Sequence, residues 1–389
     1  MAQPSPLTCG PRKSLAIQHY FRRLQDPRRQ HRRLHRLLDI IVIAICAVLC
    51  GADNWQEIAT FGQRRQAWLK RFLALPHGVP SHDTFERVFD RLDPQAFQAC
   101  FRSWISALCV HLELPHIAID GKTLRHSGRG GLGPLHVVSA WATAEHLVLG
   151  QEAVAEKSNE ITAIPRLLGL LDLAGALVTI DAIGCQTDIA AQIIARGGDY
   201  VLAVKDNQPT LSAAVQQVFD ELLSAASTPL DHRTSHSAER NHGRSEIREY
   251  HVASLPADFA ARFPEWEGLR SLGMVLSERR VGDQEPGYEA RYFISSSPAR
   301  VRRFAQAVRQ HWCIENSLHW HMDITFGEDA SRLSKRPAAE NFALLRRLAL
   351  GLLKRHPEKK SIACKRFAAA LDTDFLEEIL RLAGSSENP

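Results

Sequence analysis

The chain has 389 residues, 45% of them apolar and 23% charged, with a formal net charge of +5. These proportions match folded globular domains and exclude a disordered or low-complexity polymer; the length suffices for one large elaborated domain or two to three ordinary ones. The longest apolar run, Leu37 to Cys50, contains Asp39 and spans 14 residues, short of the roughly 20 that a membrane-crossing helix needs, so it predicts a buried helix and no membrane partner.

The N-terminus shows no charged segment followed by an apolar stretch and a cleavage site, so secretion is not expected. The eight cysteines form no C-x-x-C pair, which argues against a zinc site or disulfide scaffold and for a reducing cytoplasm. Positive charge is concentrated at two places. Met1 to Leu37 carries Arg12, Lys13, Arg22, Arg23, Arg28, Arg29, Arg32, Arg33 and Arg36 against Asp26, and Leu333 to Arg366 carries ten Lys or Arg against Glu340 and Glu358. Such clusters attract polyanions, nucleic acid above all; solvated basic helix faces are the competing reading.

In chain order, residues 14 to 110 carry apolar spacing near 3.6 and recurrent helix starts such as Ser81-His82-Asp83 and Asp93-Pro94, predicting a helical module over 1–112. Short β-rich runs then begin, Ile117 to Asp120, Leu135 to Thr143 and Leu147 to Val154, followed by a helix from about Glu160 to Leu171, a strand Ala176 to Asp181, a helix Asp188 to Arg196 and a strand Tyr200 to Lys205. Strands followed by alternating helix and strand predict an α/β mixed sheet with helices on both faces over 113–215. Residues 216–297 break the rhythm with a polar stretch and strands at Arg244 to Val252, Leu272 to Glu278 and Ala290 to Ser295, a β-rich insertion. Helix returns over 298–358, and 359–389 reads as a C-terminal tail.

Asp120 and Asp181 each close an apolar β-run before Gly or small residues. Acids at the carboxyl ends of neighbouring strands point into the crevice where α/β sheets bind ligands, and carboxylate oxygens suit Mg²⁺. A helix N-cap or turn former is the competing role for either Asp. Glu315 lies in a helical segment, and helix geometry puts His311 and His319 at i−4 and i+4 on its own face. His319 and Asp323 share a helical face that His321 does not, which argues against a transition-metal cluster. Trp266 could offer a stacking platform for a base or pack in the core.

The segments IAIDGKTLRHS around Asp120, VTIDAIGCQTD with DYVLAVKDNQPTL after Asp181, and RQHWCIENSLHWHMDITFGEDASR around Glu315 resemble the three acidic motifs of DDE-type insertion-sequence transposases of the H-repeat-associated group. FRRLQDPRRQHRRLH, CGADNWQEIATFG and SHDTFERVFDRLDP resemble that group's N-terminal region, so the resemblance runs in consistent order from about Tyr20 to Leu353. It implies a ribonuclease-H-like fold with a β-rich insertion between the second Asp and the Glu, and the 60 residues from Asp120 to Asp181 and 133 from Asp181 to Glu315 leave room for it. It implies that Asp120, Asp181 and Glu315 hold two Mg²⁺ ions, with Mn²⁺ able to substitute. The reaction implied is cleavage of double-stranded DNA at element ends and transfer of the 3′-hydroxyls to target DNA by a homodimer, in a cytoplasmic, nucleoid-associated protein. Arg28, Arg29, Arg32, Arg33, Lys122, Lys157, Lys205, His242, Arg244 and His311 are the candidate DNA contacts. In one departure, the Tyr, Arg and Lys that related transposases place around this Glu are here Val308, His311 and Met322; His311 is expected either to meet phosphate as a titrating imidazolium or to pack beside Trp312 with a neutral hydrogen bond. A metal-dependent nuclease without strand transfer and an inactive DNA-binding relative are the alternatives.

Overall fold

The computed structural model describes residues 15–109, 115–128, 133–154, 160–224, 230–241, 244–282, 284–333 and 335–384. Helices α1 (Ala16–Phe21), α2 (Leu37–Leu49), α3 (Trp55–Arg64), α4 (Gln66–Leu69), α5 (His82–Phe89) and α6 (Pro94–Cys109) precede strands β1 (His116–Leu124), β2 (Leu135–Ala142) and β3 (Leu147–Val154). There follow α7 (Glu160–Gly169), β4 (Leu177–Ile180), α8 (Thr187–Ala195), β5 (Asp199–Val204) and α9 (Pro209–Ser224). Next come β6 (His232–Asn241), β7 (Arg244–Ser254), α10 (Phe259–Arg262), β8 (Ser271–Val281) and β9 (Gly287–Ser295). The last elements are α11 (Val301–Ile314), π-helical turns at Glu315–His319 and His321–Thr325, α12 (Arg336–Arg355), α13 (Ile362–Leu371) and α14 (Thr373–Arg381).

Two compact units form. One gathers the described residues of Met1–Leu112, Leu124–Leu135 and Trp320–Pro389. Its centre is the apolar run read from sequence: α2 is buried along its length and packs against α3 and α12. Asp39 is tolerated there because its carboxylate accepts the Leu75 amide at 3.0 Å, so the buried charge is not left without a donor. The C-terminal segment is more than a tail. α13 and α14 start on the side-chain caps Ser361 and Asp372, and Trp104 of α6 donates to the Ala383 carbonyl at 2.8 Å. The second basic cluster is largely spent inside this unit. Arg347 pairs with Glu328 at 2.9 Å, Lys365 donates to the Leu353 and His356 carbonyls, and Arg366 reaches Asp53. Among the described residues no helix is long and apolar enough to cross a membrane.

The other unit, Glu113–Thr123 and His136–His319, holds most of the sheet. Among the described residues that sheet has nine strands in the order β3-β2-β1-β4-β5-β9-β8-β7-β6. β1, β4 and β5 run parallel, and β9 turns back antiparallel on β5. This is the expected ribonuclease-H-like mixed sheet. The β-rich stretch between the second Asp and the Glu is present, and it extends the same sheet through β9. β6 has no apolar run to announce it (HRTSHSAERN), being an edge strand held by its full ladder to β7. α11 lies over this sheet. Leu177, Val201, Tyr250, Val252, Val275 and Phe293 meet its Phe304, Ala307 and Val308 in one buried cluster. Gly273 of β8 permits the approach, since any side chain there would collide with the Phe304 ring.

Candidate active site

Register places the acids. Ile119 of β1 is directly beside Ile180 of β4, so Asp120, which lies within β1 rather than at the strand end expected from sequence, and Asp181, just past β4, stand side by side on adjacent parallel strands, about 4.8 Å being the usual strand spacing. Alternation along a strand decides their direction. Leu177 and Thr179 contact α11, and Asp181 shares their parity; His116, whose ring bonds Thr179, gives Asp120 the same side. Both acids therefore project toward α11, which ends at Glu315.

The three acids line one cleft of about 450 Å³, together with Thr179, Lys205, Asp206, Glu289, Arg291, His311 and Trp312. Asp120 accepts the Gly121 amide at 2.9 Å and has His319 Nδ1 at 3.5 Å from its other oxygen. Asp181 accepts the Ile183 amide at 3.2 Å, capping a short helical turn; the N-cap role and a place in the cleft coexist. Burial pushes Asp120 up to about 7; the Gly121 amide opposes this, and the charges of Asp181, Glu160 and Glu315 add to it. Like charges so gathered favour keeping one protonated, or neutralising them with a cation.

Glu315 opens a π-helical turn. Regular α-geometry therefore does not continue to His319, and the shared helical face expected for Glu315 and His319 is replaced by a contact from His319 to Asp120. π-turns inside α-helices are rare and concentrate at functional sites. His311 sits one turn earlier, its Nδ1 2.9 Å from Thr179 Oγ1. Burial lowers its pKa to about 4, against a smaller opposing effect from Thr179. Of the two roles read from sequence, a titrating phosphate contact and a neutral hydrogen-bonding neighbour, this environment favours the second.

Sequence reasoning missed a second buried pair. His136 of β2 contacts Glu160, the first residue of α7, and Thr123 Oγ1 lies 2.9 Å from the other ring nitrogen. Gly121 packs directly on this pair, leaving no space for a side chain. No sequence signal joined the two residues, which lie 24 positions apart on separate elements.

The candidate DNA contacts divide. Lys205 is exposed at the cleft, and Arg29 is exposed in the other unit. Arg28 is only 9% exposed; its guanidinium holds Asp26 at 2.8 Å and donates to the His35 carbonyl, so it serves the fold. Arg33 is 42% exposed but donates to the Arg28 and Asp26 carbonyls. Lys122 is 8% exposed and belongs to the interior. Trp266, at 4%, is a core residue. Lys157 and His242 lie outside the described residues, as do the side chains of Arg32 and Arg244.

A transposase DDE domain family model matches residues 111–352, and a model for the region associated with that domain matches 18–105. This chain belongs to the DDE transposase family. It is 39% identical over 369 residues to the H repeat-associated protein YhhI of Escherichia coli (strain K12), covering 93% of this chain and 97% of that one. It is 41% identical to YncI of Escherichia coli O157:H7, covering 93% of each. Among solved structures, a piggyBac transposase synaptic complex with hairpin DNA matches 93% of this chain and 76% of that one, with 10% identity and a TM-score of 0.37. The family's members include divalent-metal enzymes. Among the described residues no three His, Cys, Asp or Glu side chains converge tightly enough to form a ready-made ion cage. The chemistry of the donors nevertheless fits: they are hard carboxylate oxygens, and burial, with the charges gathered beside it, raises the Asp120 pKa.

Proposed function

We propose that this DDE transposase cuts the ends of an insertion sequence and transfers the freed 3′-hydroxyls to target DNA, with Asp120, Asp181 and Glu315 as its acid triad. The observation that carries the reading is the strand register, which sets Asp120 beside Asp181 under the helix that ends in Glu315. Those three carboxylates would hold two Mg²⁺ ions, Mn²⁺ substituting; bound there, the ions would activate the attacking oxygen and stabilise the leaving one. The chain's own residues do the rest. The Gly121 amide and His319 fix the two oxygens of Asp120, and the Ile183 amide fixes one of Asp181.

Five acids line the cleft, Asp120, Asp181, Asp206, Glu289 and Glu315, against Lys205 and Arg291. A cleft so charged repels a phosphodiester until cations occupy it, which ties DNA engagement at the site to metal loading. Lys205 and Arg291 then meet the flanking phosphates. Arg29, in the other unit, adds to sequence-independent DNA affinity. Synapsis of two element ends calls for two copies of the chain, hence a homodimer in the working complex.

The test is single neutralisation: Asp120→Asn, Asp181→Asn and Glu315→Gln. Each is expected to lower Mg²⁺-dependent cleavage of element-end DNA by more than roughly 100-fold, above the loss typical for groups that merely support a metal ligand, while binding in Ca²⁺ persists. Near-normal cleavage by any one variant removes that residue from the triad.

A further inference from the structure

Behind the cleft runs a chain of four hydrogen-bonding side chains. His311 Nδ1 is 2.9 Å from Thr179 Oγ1, Thr179 Oγ1 is 3.0 Å from His116 Nε2, and His116 Nδ1 is 3.0 Å from Thr143 Oγ1. His116, Thr143 and Thr179 are buried. The chain ends at the His116 carbonyl, 3.4 Å from the Thr143 hydroxyl. A carbonyl can only accept, so placing the Thr143 hydrogen there sets one polarity for the whole chain; the reverse polarity, with Thr143 donating to His116 Nδ1, is what the tautomer measurement below distinguishes.

Proton counting then propagates along the chain. Thr143 oxygen, its hydrogen committed, accepts from His116 Nδ1–H. A neutral imidazole has one N–H, so His116 Nε2 is a lone pair and takes the Thr179 hydrogen. Thr179 oxygen accepts in turn from His311 Nδ1–H. That leaves His311 Nε2 a lone pair on a ring that lines the cleft. Both rings are neutral at working pH, since burial drives His116 to about 3 and His311 to about 4.

A lone pair cannot bond a phosphate oxygen. It needs an O–H or N–H donor, and beside a DNA phosphodiester the O–H groups are water and the free 3′-hydroxyl. We infer that the Thr143–His116–Thr179 relay holds His311 as a hydrogen-bond acceptor, its Nε2 receiving and orienting the hydroxyl that attacks the phosphodiester. Thr143, His116 and Thr179 are positioning residues; His311 is the group that touches the nucleophile. This rests on the reading of the cleft as the strand-cutting site, and it inverts the phosphate-contact role expected of His311 from sequence. An arginine in its place would supply only donors.

Two measurements test it. In the full-length chain without metal, ¹⁵N-histidine NMR reads the tautomer of His311 directly, the resonance being assigned by its loss in His311→Gln. The Nδ1–H form is expected; the Nε2–H form overturns the inference whatever the chain does to DNA. The kinetic test uses Thr179→Val, which removes the relay hydroxyl at nearly constant shape, and Thr179→Ser, which restores it. Thr179→Val is expected to lower the cleavage rate roughly tenfold, the worth of about one hydrogen bond, with DNA affinity unchanged and Thr179→Ser recovering the rate. His311→Arg is expected to bind DNA but cut it poorly. Wild-type cleavage rates in both Thr179→Val and His311→Arg overturn the inference. Should wild type itself cut no DNA under any metal, the function proposed above fails, and the tautomer still decides the relay.

Discussion

Asp120 carries a heavy electrostatic load in the cleft, and its stability consequence has a definite sign. Its carboxyl ionises near 3.8 in an unfolded chain and near about 7 when folded, because burial, with help from Asp181, Glu160 and Glu315, disfavours the charge. Between those values the folded chain holds a proton that the unfolded chain has released, so stability falls as pH rises from about 4 to 7. In metal-free buffer at pH 8, Asp120→Asn should therefore melt a few degrees above wild type, and the difference should vanish toward pH 4. Mg²⁺ should raise the wild-type melting temperature and leave the variant nearly unmoved. Equal melting curves at pH 8 would contradict the crowding of charge described for this site. In the other unit, Arg28 and Arg29 are neighbours in sequence with different duties. Arg28→Ala strands Asp26 without its bidentate partner and should cost about 1–3 kcal/mol in urea unfolding. Arg29→Ala should leave stability alone and reduce the slope of log affinity for DNA against log salt by about 0.9, one phosphate contact. An unchanged slope would remove Arg29 from the DNA-contacting set.

Between β1 and α7, space is the controlling quantity. Gly121 follows Asp120 and abuts the His136–Glu160 pair, both buried. A methyl group there must displace one of them, so Gly121→Ala should destabilise the fold by about 1–3 kcal/mol and depress cleavage through the shifted Asp120; an unchanged urea midpoint would show that the pair can yield. The sequence revealed β1, β4 and β5 because each carries an apolar run, and pointed to the two aspartates because each follows such a run; that β1 continues through Asp120 to Leu124 was hidden, since Gly121, Lys122 and Thr123 carry no apolar signal. It revealed Glu315 only through resemblance, since a helical Glu beside two histidines is common on any exposed face. Three features were illegible for physical reasons. β6 is polar throughout and exists by virtue of its ladder. The π-turn at Glu315 breaks a periodicity that sequence reading must assume. The contacts of His311 with Thr179 and of His319 with Asp120 join residues more than a hundred positions apart. The helices α13 and α14 were hidden differently: each is short, with a single polar cap as its start signal.

At the scale of the whole chain, net charge proved a coarse guide. Of the two basic clusters, the second is substantially consumed by buried pairs such as Arg347 with Glu328, so the DNA affinity proposed for the chain is assigned to the N-terminal arginines and the cleft rim. All three acids, the relay behind His311 and Lys205 lie within the sheet-bearing unit, so one folded unit carries the proposed chemistry. That chemistry differs from a nuclease's in its product: a transposase joins what it cuts. The most direct test supplies the purified chain with Mg²⁺, a labelled duplex ending in the sequence that flanks its own gene, and an unlabelled supercoiled plasmid. The account predicts label covalently joined to the plasmid through the 3′-end with wild type, and none with Glu315→Gln. Released fragments with no joined product, or joined product from Glu315→Gln, would contradict it.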